Sequence, residues 1–119
     1  MIIKPRVLLQ MEGAAVFALS LFLYHFIGAS WIWFLVLFFW PDIFMAGYLV
    51  NTRLGGSLYN LSHTEVFPLA LAGLALSLQH SGAMAFAIIW MAHIGFDRML
   101  GFGLKYPTFF KDTHMQRVI

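Results

Sequence analysis

Polar positions interrupt this chain so rarely that its elements can be read from the gaps between them. Val7 to Ile27 is apolar, small or aromatic apart from Gln10, Glu12, Ser20 and His25. At about twenty residues it is long enough to cross a hydrocarbon layer of ~30 Å as a helix. A turn follows at Gly28-Ala29-Ser30. The second run, 31–50, carries one ionisable residue, Asp42, next to Pro41. Proline removes a backbone hydrogen bond, so a kink is expected there. Residues 51–62, N-T-R-L-G-G-S-L-Y-N-L-S, read as a polar, glycine-bearing loop. Ser62 followed by Glu65 matches a capping box, with Ser62 as N-cap and Glu65 at N3. A third run then covers 63–79, and Gln79-His80-Ser81-Gly82 breaks it. The fourth covers 83–104 and holds His93, Asp97 and Arg98. The tail 105–119 is polar. The pattern predicts an all-α polytopic membrane protein: one domain over 1–119, with four transmembrane helices in a bundle.

Composition supports this reading. The chain is 61% hydrophobic and 10% charged, with mean hydropathy +0.82. Soluble domains are nearer ~25% charged, so this chain has too little polar surface to cover itself in water. A cleavable signal is not expected: Lys4 and Arg6 resemble its basic head, but the apolar run that follows is too long and contains Glu12. The absence of cysteine excludes disulfides, thiolate metal sites and a cysteine nucleophile. A net charge of +2 gives no footprint for nucleic acid. With four spans, all seven Lys and Arg residues fall on one side, which places both termini in the cytoplasm.

Depth then singles out the candidate chemistry. Glu12, Asp42, His63, Glu65, His93 and Asp97 come from all four spans. At ~1.5 Å rise per residue they occupy one cytoplasmic half-layer. Ionisable groups at such depth usually face a bundle interior and have a function. His93 and Asp97 are four residues apart and share a helical face. Each group also has a plainer reading. His93 and Asp97 could be a structural polar pair, and Asp42 could cap a broken helix. Glu65 could serve only the capping box, and Glu12 could pair with an interior cation. His25 and His80 fall in the far-side turns, outside the layer. Asn51 and Tyr59 could line the cytoplasmic mouth, and Arg98 and Lys105 could hold a lipid phosphate.

Three motifs carry a resemblance. They are P-D-I-F-M-A-G-Y from Pro41 to Tyr48, Y-N-L-S-H from Tyr59 to His63, and the long H-I-G-F-D-R-M-L-G-F-G-L-K-Y-P-T-F-F-K-D-T-H from His93 to His114. Together they resemble a family of small bacterial integral membrane proteins of unassigned function, which implies a multi-pass place in the bacterial inner membrane. Pro41-Asp42, Ser62-His63-Thr64 and His93 to Asp97 also resemble, in order, elements of membrane-bound metal-dependent hydrolases. Phe44 stands where those proteins often carry a second acid, and their His-Arg before the T-H-S element is absent here.

The expected function is metal-dependent hydrolysis of a lipid-like substrate at the cytoplasmic side. Asp42, His63, His93 and Asp97 would hold a divalent metal such as Zn, and Glu12 or Glu65 would be the general base. The expected partner is membrane lipid, and a homo-oligomer is compatible with the sequence. Two rival readings are a small proton-coupled carrier and a structural membrane subunit without activity.

Overall fold

The computed structural model describes residues 4–42 and 52–101, and within them every regular element is helical. Helix α1 spans Pro5–Phe26. Its first residue is proline, whose missing N–H is not needed at that position. The helix ends before Gly28, which turns the chain with φ +73°. Helix α2 spans Trp31–Leu37, and the Ser30 side chain accepts a hydrogen bond from the Ile32 N–H at its start. From Trp40 to Asp42 the chain tightens into a 3-10 turn that includes Pro41. Helix α3 covers Thr52–Ser62, α4 Val66–Leu78 and α5 Ser81–Met99.

Two local expectations are corrected here. Residues 52–62 form a helix rather than a loop. The capping box does not form: Ser62 is the last residue of α3, and Glu65 precedes α4 with no side-chain cap bond. Pro68 therefore falls in the first turn of α4, where helices tolerate proline. Helix α4 stops at Gln79 in the left-handed conformation, φ 53°. The His80 side chain then accepts from the Ala83 N–H and caps α5.

Helix α5 is the interior element. Ala87, Ile88, Ile89 and the run from Met91 to Gly95 are all buried. Helices α1 and α4 flank it. The approach of α1 is closest at Gly13 and Gly95, where a Cβ on Gly95 would meet the Gly13 carbonyl oxygen at 2.9 Å. Tyr24, Phe34, Phe38, Ile88, Ile89, Met91 and Ala92 form the core. Phe34 stacks on Phe38, and Phe38 meets Phe96 edge-on. The Tyr24 hydroxyl donates to the Ser30 carbonyl and closes the α1–α2 turn.

The outer surface is apolar. Phe26, Ile32, Leu35, Leu76 and Leu78 are each more than two-thirds exposed. Pro5–Phe26 and Gly56–Leu78 are long and apolar enough to cross a membrane. The second expected span is described only as far as Asp42 and the fourth only as far as Gly101. Asn51, Lys105 and the tail lie outside the described residues.

Candidate metal centre

Three separate segments deliver four side chains to one point. The 3-10 turn after α2 carries Asp42, the α3–α4 junction carries His63, and α5 carries His93 and Asp97. His93 and Asp97 are one helical turn apart on the face of α5 turned away from Gly95. One ligand atom from each residue can be chosen so that all four lie within 4.8 Å of one another.

Five of the six separations among these atoms are nearly equal. His63 Nε2 lies 3.1 Å from Asp42 Oδ1, 3.1 Å from His93 Nε2 and 3.3 Å from Asp97 Oδ2. His93 Nε2 lies 3.2 Å from Asp42 Oδ1 and 3.2 Å from Asp97 Oδ2. A tetrahedral ion bound at about 2.0–2.1 Å sets its ligand atoms about 3.3–3.4 Å apart, close to these five separations, and the two carboxylate oxygens lie within 4.8 Å of each other.

Hydrogen-bond accounting leads to the same fit. His63 Nδ1 lies 2.9 Å from the Tyr59 carbonyl oxygen, which can only accept, so the proton sits on Nδ1. In neutral His63 that leaves Nε2 as a lone pair, the ligating form. It points at two carboxylate oxygens and at the Nε2 of His93. If both rings were protonated instead, two N–H groups would meet head-on at 3.1 Å. A divalent cation satisfies all four atoms and balances the two carboxylates.

The centre is closed on most sides. The His63 and His93 side chains are 0% and 2% exposed and that of Asp97 is 13%, whereas Asp42 is 37% exposed and marks the opening. Tyr59 stacks flat on the His63 ring, with centroids 3.7 Å apart. The ring of Phe38 stands edge-on to His93. The junction that carries His63 is gripped from α5 by two donors. Trp90 Nε1 donates to the Ser62 carbonyl at 2.6 Å, and Arg98 donates to the His63 carbonyl at 2.9 Å. Within this shell, His93 Nδ1 is a buried nitrogen with no hydrogen-bond partner.

The remaining candidates fall elsewhere. Glu12 and Glu65 line a small cavity of about 140 Å³ with Leu9, Gly13, Val16, Gly95 and Arg98, on the α1 side of α5. One Glu65 carboxylate oxygen there is buried with no hydrogen-bond partner among the described residues. Tyr59, expected at the mouth, lies buried against His63. Arg98, expected to meet lipid phosphate, reaches back to the His63 carbonyl. His25, in the last turn of α1, and His80, the N-cap of α5, are exposed and are not part of the cluster. The sequence reading missed the parts played by Trp90 and Ser62. An indole N–H and a hydroxyl next to ligand positions were the only signals for them.

A family model described as a domain of unknown function (DUF4260) matches residues 6–118, and the chain belongs to that family. No curated protein and no solved structure matches the chain.

Proposed function

For a member of a family without an assigned activity, we propose that the chain is a four-span membrane protein, both termini cytoplasmic, that holds one divalent ion and hydrolyses a lipid-like substrate. The single observation that carries the metal is the set of five distances of 3.1–3.3 Å that join two imidazole nitrogens to each other and to two carboxylate oxygens. A mixed nitrogen and oxygen set without thiolate suits Zn²⁺. Such an ion supplies Lewis acidity and an activated water at neutral pH.

The membrane reading is supported by the two long apolar stretches and by side chains such as Phe22 and Phe26, which expose large apolar area outward. A surface of that kind in water would be an aggregation liability. It is also supported by depth. His93 and Asp97 lie about 20–25 Å along α5 from the turn at His80, at ~1.5 Å per residue, and Asp42 and His63 meet them there. They therefore share one layer. Substrate would approach on the Asp42 side, where the centre opens. Neither expected base faces the centre, since Glu12 and Glu65 both line the cavity on the α1 side of α5.

One observation favours a second reading. Four protein ligands fill a tetrahedron, which is the saturated arrangement of structural zinc sites. In that reading the ion ties the turn after α2 to α5 in a membrane subunit without activity. Elemental analysis of purified protein is the first test, with about one divalent ion per chain expected. Protein that holds no metal and takes up none at neutral pH would end both readings and leave a proton-coupled carrier or a metal-free structural subunit, which proton-dependent flux into liposomes would separate. With metal present, release of product from a panel of phospholipids and acylglycerols separates hydrolase from structural subunit.

A further inference from the structure

A buried hydroxyl at the α3–α4 junction touches both halves of the centre. Ser62 is 2% exposed. Its Oγ lies 3.1 Å from the Pro41 carbonyl oxygen, 3.0 Å from that of Tyr59 and 2.8 Å from His63 Nδ1. A hydroxyl has one proton to give and lone pairs with which to accept. Both carbonyls can only accept. The Tyr59 oxygen already receives the His63 Nδ1–H at 2.9 Å. The arrangement that serves most acceptors therefore sends the Ser62 proton to Pro41, and shares the Nδ1–H between the Tyr59 oxygen and Ser62 Oγ. A directed chain results, from His63 Nδ1–H to Ser62 Oγ–H to the Pro41 carbonyl. That carbonyl belongs to the peptide bond whose nitrogen is Asp42.

We infer that Ser62 is a positioning residue of the metal centre: its hydroxyl holds His63 with Nε2 directed at the ion and docks the Pro41–Asp42 arm so that the Asp42 carboxylate arrives as a ligand. The inference rests on the metal reading above. Its physical basis is cooperativity. Positive charge at Nε2 makes Nδ1–H a stronger donor, which polarises the hydroxyl behind it and tightens its bond to Pro41. The arm would thus be held more firmly when the ion is present. Partners behind metal ligands commonly change affinity about 10–100-fold when removed. A plainer role is open to Ser62, since serines near helix ends often bond back to the carbonyl three residues earlier, here Tyr59. That role involves neither Pro41 nor Asp42.

The full chain in detergent distinguishes the two. Zn²⁺ affinity is measured against a competing chelator for wild type, Ser62→Ala, Asp42→Ala and the double variant, with helix content followed by circular dichroism. Ser62→Ala is expected to bind about 10–100-fold more weakly with its helix content kept, and Ser62→Thr to restore most of the loss. Asp42→Ala should cost much less in the Ser62→Ala background than in wild type, because the arm is already undocked. Wild-type affinity in Ser62→Ala, or strictly additive losses, overturns the inference while leaving the metal site intact. If wild type itself binds no Zn²⁺, the metal reading and this inference fall together. Should Ser62→Ala fail to fold, ring ¹⁵N shifts of His63 in the wild type decide: a proton on Nδ1 that hydrogen-bonds is expected, and a proton on Nε2 in the Zn²⁺-loaded protein overturns the inference.

Discussion

Gly13 and Gly95 meet with no side chain between them. A Cβ on Gly95 would stand 2.7 Å from the Phe17 nitrogen, and one on Gly13 would stand 2.8 Å from the Gly95 carbonyl oxygen. Both neighbours are backbone and cannot swing aside. Gly95 lies about 160° around α5 from both His93 and Asp97, at ~100° per residue. The contact with α1 therefore sets the rotation of α5 that turns the two ligands inward.

Gly95→Ala should separate α1 from α5 and destabilise the protein by about 1–3 kcal/mol, the usual cost of overpacking. The control is Gly73→Ala on exposed α4, where a Cβ meets nothing within 4 Å. That change should be neutral or stabilising by up to about 1 kcal/mol, from helix propensity. Thermal unfolding in detergent measures both. Equal effects would show that the α1–α5 contact does not govern stability.

Metal content should track the four clustered side chains. His63→Ala, His93→Ala and Asp97→Ala should each lose the ion on purification, because a site short of one ligand is too weak to retain it. His25→Ala and His80→Ala should keep it. Loss of metal in His80→Ala would point to a different site.

Chelation should lower the melting temperature. An ion at about 100 times its Kd stabilises the folded state by about 2.7 kcal/mol, and that contribution disappears when the ion is removed. The shift should be absent in Asp97→Ala, and readdition of Zn²⁺ to wild type should restore it.

Arg98→Met should loosen the α3–α4 junction. The guanidinium donates to the His63 carbonyl, and a hydrogen bond from a charged donor contributes about 1.5–3 kcal/mol. Lower stability together with weaker Zn²⁺ binding is expected. Lower stability with unchanged Zn²⁺ affinity would separate the junction from the metal centre.

Topology is tested by reporters. One fused after Ile119 should read as cytoplasmic and one inserted at His80 as external. A cytoplasmic signal at His80 would remove the argument from depth.

Much of this was legible from spacing. The long runs located α1 and α5, and the depth argument singled out six residues from all four runs, of which Asp42, His63, His93 and Asp97 lie together. The one-turn spacing of His93 and Asp97 put both on one face, as found. What escaped depended on tertiary context. Residues 52–62 read as a loop because Gly55, Gly56, Ser57 and Asn60 are poor helix formers, a local preference that packing overrides. The S-x-x-E pattern at Ser62 suggested a cap, yet the hydroxyl is occupied by Pro41 and His63, partners no local pattern can reveal. Glu12 and Glu65 were near the right depth but face the α1 side of α5. Depth along a helix does not specify rotation about it.

The pairing of α1 with α5 also constrains the order of assembly. During synthesis α1 emerges well before α5, its principal partner, so the Gly13–Gly95 contact is among the most distant in sequence within the described residues. Contacts of such separation form late, after the chain ends have found each other. Until Gly95 arrives, the small-residue face of α1 lacks its α5 mate, and Asp42 and His63 lack the two α5 side chains that complete their cluster. Closure of the helix pair and completion of the metal centre would then be a single late event, and a chain stalled before α5 would have neither.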